Sequence, residues 1–257
     1  MKKQVVVFAA LAILAVGGIG AAYYSDIFAG PELKLERHLK KGREYMGAGK
    51  VDEAIVEFRN ALKAKPASAE AHYELGSALQ QRRDLRGAAR EFLRAAELDP
   101  KMIKARFQLG NIHLLARDVA HAKEQLGHIR DQEPESFEAR SLAAAIAMVE
   151  KNFDAALKEL RQIAAADPKR AATHLELGAV YSAKQDFKAA EAAYRKALEM
   201  EPKLHGARIS LASLYLSLGE QEKAEEELLQ ATREDPENEG LLHVLGSFYR
   251  STRQIDD

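Results

Sequence analysis

Residues 171–204 carry the sequence AATHLELGAVYSAKQDFKAAEAAYRKALEMEPKL, from which the fold class can be inferred. Its single proline, Pro202, has counterparts in both directions along the chain. Six of the seven prolines are each separated from the next by 34 residues: Pro66, Pro100, Pro134, Pro168, Pro202 and Pro236. A constant interval of this kind indicates a structural repeat, in which each copy buries its apolar face against the next copy.

Small and aromatic residues also recur at fixed positions of the repeat, counted with Leu35 at position 1. Position 8 is glycine or alanine: Gly42, Gly76, Gly110, Ala144, Gly178, Ala212 and Gly246. Position 20 is alanine: Ala54, Ala88, Ala122, Ala156, Ala190 and Ala224. Position 24 is aromatic or leucine: Phe58, Phe92, Leu126, Leu160, Tyr194 and Leu228. Because a glycine inside a helix costs about 1 kcal/mol relative to alanine, we expect position 8 to touch a close neighbour, and we assign that neighbour to position 20.

Each repeat is predicted to contain two helices, at about positions 2–14 and 18–31. Proline removes a backbone donor and disfavours helix in the residue before it, so the prolines end the second helix. Polar residues just beyond three of the prolines are predicted N-caps of the following helix: Ser68, Ser136 and Asn238. The turn inside the repeat is assigned to these pairs: Gly49-Lys50, Arg83-Asp84, Lys151-Asn152 and Gly219-Glu220.

These columns resemble those of the tetratricopeptide repeat family. The resemblance covers six complete repeats, at 35–68, 69–102, 103–136, 137–170, 171–204 and 205–238, and the first helix of a seventh, incomplete repeat in 239–257. It implies an all-α fold, a right-handed superhelical α-solenoid of helix-turn-helix repeats. The family's aromatic at position 4 is mostly replaced by half-polar residues, of which His38, His72 and His174 are predicted to be half-buried spacers.

The composition excludes several classes of function. The chain has 257 residues, with 38 Lys+Arg against 39 Asp+Glu and a formal net charge of −1. It therefore lacks the excess of basic residues on which nucleic-acid binding depends, and we expect no nucleic-acid partner. It contains no cysteine, which excludes disulfides, thiolate nucleophiles and cysteine-ligated metal ions.

No motif for catalysis, cofactor binding or metal binding is legible in the sequence. His121 and His128 are seven residues apart on one helix, about 10.5 Å of rise, which is too far to share a metal ion. The stretch Gly47-Ala48-Gly49-Lys50 lacks the spacing and the following Ser or Thr of a phosphate-binding loop. We therefore predict that the chain is not an enzyme and binds no cofactor or metal ion.

An uncharged, largely apolar run extends from Val5 to Tyr24. Twenty helical residues span about 30 Å, the thickness of a hydrocarbon core, so residues 1–30 are predicted to hold a transmembrane or signal helix and a short linker. The length favours an uncleaved signal anchor; the alternative is a signal peptide cleaved near Gly20-Ala21-Ala22. Lys2 and Lys3 favour a single-pass inner-membrane protein with its repeats in the periplasm, or a periplasmic or secreted protein after cleavage.

The resemblance also implies a binding surface, because positions 2, 5, 9 and 12 of the first helices line a concave groove in the family. The family's Lys/Arg and Asn clamp for a peptide carboxylate is missing, since position 5 carries no Lys or Arg and only Asn111 fits at position 9. The remaining apolar stripe suits an amphipathic helix or an extended apolar peptide; the alternative is that these side chains pack partly against adjacent repeats. The candidate groove residues are Tyr73, Ser77, Phe107, Asn111, Leu114, Leu175, Ile209 and Leu216.

Two functions are compatible with these features. The first is a non-enzymatic protein-interaction scaffold tethered at the bacterial cell envelope, whose groove binds a peptide or helix of an envelope protein. The second is the N-terminal adaptor part of a longer envelope enzyme or of an exopolysaccharide or surface-protein export component. The apolar character of residues 239–250 favours a chain that continues beyond Asp257; the alternative is that this final helix docks on a partner.

Overall fold

The structure is a computed structural model, and it describes residues 30–253. Within this range the chain forms thirteen helices and no strand: α1 Pro31–Gly47, α2 Val51–Ala64, α3 Ala69–Gln81, α4 Leu85–Leu98, α5 Ile103–Leu115, α6 Val119–Arg130, α7 Phe137–Val149, α8 Phe153–Ala166, α9 Ala171–Ala183, α10 Phe187–Met200, α11 His205–Ser217, α12 Gln221–Glu234 and α13 Glu239–Arg253. The predicted membrane segment at residues 5–24 lies outside the described residues. None of the thirteen helices is both long and apolar enough to cross a bilayer.

The chain divides into two compact units, one ending at Ile112 and the other beginning at His113, so the boundary falls within α5. In the N-terminal unit the helices pack around a core that includes Leu39, Phe58 and Phe92. In the C-terminal unit, consecutive helices from α6 to α13 pack against one another around two buried clusters. Within each unit, neighbouring helices therefore bury their apolar faces against one another.

Three of the first helices, α3, α7 and α13, begin at the side-chain caps that the sequence predicts. The amide of Ala71 donates to Oγ of Ser68 over 3.2 Å, and the amide of Ala139 donates to Oγ of Ser136 over 3.2 Å. Asn238 caps α13 in the same way. These caps occupy position 34 of the preceding repeat, so the helices begin at position 1, one residue earlier than predicted.

The close neighbour of the position 8 glycines differs from the predicted one. A Cβ placed on Gly42 would lie 2.3 Å from the ring of Phe58, and one on Gly178 would lie 2.4 Å from the ring of Tyr194. The nearest atoms thus belong to the aromatic ring at position 24 rather than to the alanine at position 20. Where position 24 is leucine, as in Leu160, position 8 can be alanine, because leucine lacks the flat ring that fills this space.

Candidate functional site

The groove residues predicted in the N-terminal unit lie on α3 and α5 and are all partly buried. The ring of Tyr73 packs against the core, with its centroid 5.6 Å from that of Phe92, and Nζ of Lys104 lies 4.2 Å from the centroid of the Tyr73 ring. Oγ of Ser77 donates to the carbonyl oxygen of Tyr73 over 3.0 Å. Tyr73 therefore contacts the apolar core and, through a cation–π interaction, the ammonium group of Lys104.

The groove residues predicted in the C-terminal unit differ in exposure. Leu175 and Ile209 are partly buried and pack against the same core cluster, so the structure brings these two together. Leu114 is also partly buried, whereas Leu216 is 38% exposed. The alternative interpretation, packing against adjacent repeats, thus applies in part to Leu175 and Ile209, while Leu216 presents apolar surface to solvent.

The position 9 residue of the first repeat is engaged in an ion-pair network. Nε of Arg43 donates to Glu74 over 2.7 Å, and a terminal guanidinium nitrogen donates to Glu70 over 2.5 Å. The hydrogen bond that Arg43 donates to Glu74 is the main reason that the pKa of Arg43 is raised. The guanidinium group of Arg43 thus links α1 to α3, and its charge is neutralised within the N-terminal unit.

A cleft of about 380 Å³ opens among α6, α7 and α8. It is lined by Lys123, Gly127 and Ala147, together with residues from all three helices. Ala147 occupies position 11, where the next two repeats carry Tyr181 and Tyr215. The cleft therefore lies where a smaller side chain replaces a tyrosine at a helix–helix contact.

The structure also brings together three side chains that sequence reasoning missed. His113, Asp118 and His121 place two ring nitrogens and a carboxylate oxygen within 4.8 Å of one another. His113 lies at the end of α5, whereas Asp118 and His121 lie at the start of α6. The available signal was their occurrence at positions 11, 16 and 19, which the turn inside each repeat brings close.

These features define a class of protein that is built of repeated helical hairpins. Tetratricopeptide repeat profiles match the chain, one at residues 39–103 and 107–171 and another at residues 181–245. The chain belongs to the tetratricopeptide repeat family. Proteins of this family generally mediate protein–protein interactions.

Solved structures similar to this one share the fold at low sequence identity. A tetratricopeptide repeat protein from Parabacteroides merdae has a TM-score of 0.76 at 15% identity, over 96% of each chain. A chain of the APC/C hetero-tetramer Cut9–Hcn1 has a TM-score of 0.69 at 17% identity, over 85% of this chain and 43% of that chain. Pseudomonas aeruginosa pilF has a TM-score of 0.62 at 16% identity, over 86% of this chain and 99% of that chain. No curated protein sequence matches the chain.

Proposed function

We propose that this protein is a non-enzymatic interaction scaffold tethered at the bacterial inner membrane. Residues 5–24 would form the anchor, the repeats would lie on the periplasmic side, and the first helices would bind an amphipathic helix or extended apolar peptide of an envelope protein. Confinement at the membrane raises the effective concentration of both partners, so a modest affinity of the groove would suffice.

The observation that carries this proposal is that the first helices in each unit carry apolar side chains that are partly exposed. Phe107 and Leu114 lie seven residues apart on α5 and both are partly buried, so each retains accessible surface. Leu216 on α11 is 38% exposed. Apolar side chains at helical spacing that are partly accessible to solvent suit a partner with an apolar face of its own.

Site-specific crosslinking in cells tests the groove. A photoreactive amino acid at position 107 or 175 is expected to capture a partner, which mass spectrometry then identifies. The double substitution Phe107→Ala and Leu175→Ala should weaken binding of that purified partner by about tenfold or more, because each truncation removes apolar contact area. Leu93→Ala is the matched control, since Leu93 is 45% exposed on α4, a second helix.

The outcome that contradicts the groove assignment is equal affinity of the double variant and the parent, with both folded by circular dichroism. The photoreactive amino acid is also placed at position 93. If it captures the partner there and not at positions 107 and 175, the partner binds the second helices instead.

Fractionation tests the tether separately. The full chain should sediment with membranes, and deletion of residues 2–24 should release the repeats to the soluble fraction. Protease added to spheroplasts should digest the repeats if they face the periplasm. The intact mass of the purified protein distinguishes an uncleaved anchor from a cleaved signal peptide. Retention of the deletion variant on membranes would contradict the assignment of residues 5–24 as the anchor.

A further inference from the structure

The turn inside each repeat has one recurring geometry. The residue before the second helix donates its amide hydrogen to the carbonyl five residues earlier: Asp118 to His113 over 2.8 Å, and Asp186 to Tyr181 over 2.9 Å. The chain reverses through a left-handed residue, such as Arg117 with φ 59°. Positions 11 and 16 are therefore neighbours in these repeats whatever side chains they carry.

The cap of the second helix brings position 19 to the same place. The amide of His121 donates to Oδ1 of Asp118 over 3.2 Å, and the amide of Ala189 donates to Oδ1 of Asp186 over 3.2 Å. A side chain at position 19 consequently lies beside the carboxylate of the cap. The turn thus brings positions 11, 16 and 19 of the repeat together.

The third repeat places three metal-ligating side chains at these positions. Nδ1 of His121 lies 2.6 Å from Oδ2 of Asp118, and Nδ1 of His113 lies 3.6 Å from the same oxygen. The two imidazole rings are stacked, with centroids 5.1 Å apart. The corresponding residues of the fifth repeat, Tyr181 and Ala189, offer no such donors.

We infer that His113, Asp118 and His121 form a binding site for a divalent first-row metal ion, with Zn²⁺ as the ion that the donor set fits best. In a tetrahedral zinc site with bonds of about 2.0–2.1 Å, ligand atoms lie about 3.3 Å apart. Oδ2 of Asp118 lies 2.6 and 3.6 Å from the two ring nitrogens, and all three ligand atoms lie within 4.8 Å of one another. Side-chain rotations that replace the hydrogen bond between His121 and Asp118 therefore bring the three atoms onto one ion.

The surroundings allow an ion to enter and to be retained. The side chains of His113, Asp118 and His121 are 25%, 36% and 60% exposed, so the site opens to solvent. Three protein ligands leave a coordination position for water or for a donor from a partner.

The test is metal binding by the untagged full chain in detergent. Calorimetric titration with Zn²⁺, and visible absorption with Co²⁺ as a spectroscopic probe, should show one site per chain with tetrahedral cobalt bands. Loss of a ligand should weaken the site at least as much as loss of an outer-shell partner does, which is about tenfold or more. This loss is expected for His113→Ala, for His121→Ala and for Asp118→Asn.

The choice of variants separates a metal site from a helix cap. Asp118→Asn preserves an N-capping side chain while removing the carboxylate, so it should retain the helix and lose the metal. His128→Ala is the matched control, because His128 is on the same helix and lies outside the cluster. Unchanged zinc affinity in a folded Asp118→Asn protein and in a His113→Ala/His121→Ala protein would overturn the assignment.

The fifth repeat offers a test by gain of a site. Tyr181→His with Ala189→His places the same three ligands around Asp186, so this variant should bind a second zinc ion. Failure of this folded variant to bind more zinc than the parent would show that the turn does not supply the required geometry and would overturn the inference.

Discussion

A guanidinium nitrogen of Arg208 donates to Oε2 of Glu227 over 3.1 Å and joins α11 to α12. The same side chain also donates to the carbonyl oxygen of Pro202. Position 4 therefore links the two helices of a repeat to each other and to the preceding proline. The predicted spacers His38 and His72 are half-buried, as expected, and each in addition bonds to a position 23 glutamate. His174, which is predicted to be half-buried as well, is instead buried. The equivalent pairs are His38–Glu57 at 2.6 Å, His72–Glu91 at 2.7 Å and Arg140–Glu159 at 3.3 Å.

Arg208→Met should lower the free energy of unfolding by about 2 kcal/mol, because it leaves two largely buried carboxylates, Glu227 and Glu234, without their cation. These side chains are 13% and 17% exposed, and Arg208 is 14% exposed. Urea denaturation followed by circular dichroism measures the loss. The control is Arg82→Met, whose partner Asp52 is 79% exposed, and it should cost less than about 0.5 kcal/mol. Equal losses in the two variants would contradict a structural role for Arg208.

Gly42→Ala should destabilise the protein by about 2 kcal/mol, since the added methyl group would overlap the ring of Phe58. Combining it with Phe58→Leu should cost less than the sum of the two single substitutions, because Leu160 and Leu228 coexist with Ala144 and Ala212 at the same positions. A double-mutant cycle by urea denaturation measures this coupling.

The control for this cycle is Gly127→Ala on α6, where an added Cβ would meet nothing within 4 Å. It should raise stability by up to about 1 kcal/mol through helix propensity alone. Strict additivity of Gly42→Ala and Phe58→Leu would show that the ring does not restrict position 8.

The repeat period made the helices, three of their caps and the turns predictable, because these depend on local sequence that recurs every 34 residues. The neighbour of Gly42 was not predictable in this way, since columns of small residues at positions 8 and 20 do not reveal which side chain crosses between the helices. The metal-ligating cluster was also missed, because the spacing from His113 to Asp118 and His121 becomes a site only through the turn. The exposure of Leu175 and Ile209 depends on packing by neighbouring helices, which a helix pattern alone does not give.

The stability of the C-terminal unit should depend on the protonation of His174. Its pKa is lowered because the ring is buried and Lys196 lies near, and a hydrogen bond to Pro168 only partly opposes this. The fifth repeat has Ala193 where four others have glutamate, so no carboxylate from position 23 compensates the charge. Since the unfolded chain binds the proton more readily, the free energy of unfolding should fall as pH drops through about 6.5.

Ala193→Glu should reverse this behaviour by supplying the missing carboxylate and raising the pKa of His174. An NMR titration of the His174 ring measures the pKa, and urea denaturation at pH 7.5 and 5 measures its effect on stability. His174→Gln should remove the same part of the pH dependence. A pKa of His174 that does not rise in a folded Ala193→Glu protein would contradict the proposed pairing.

Ala147→Tyr should stabilise the C-terminal unit by about 1 kcal/mol by filling the cleft among α6, α7 and α8. At the same position Tyr215 is buried, donates to Glu191 over 2.7 Å and accepts from Arg195 over 2.8 Å, both on the preceding second helix. For position 147 the preceding second helix is α6, and its corresponding residues are Lys123 and Gly127. The ammonium group of Lys123 could therefore donate to the tyrosine hydroxyl, and Gly127 has no side chain that would obstruct the ring. Ala147→Phe fills the same space without the hydroxyl, so the difference between the two melting temperatures isolates the hydrogen bond. If both aromatic variants melt below the parent, the cleft is too constrained to accept a ring and the two repeats must be held apart by contacts other than those at position 11.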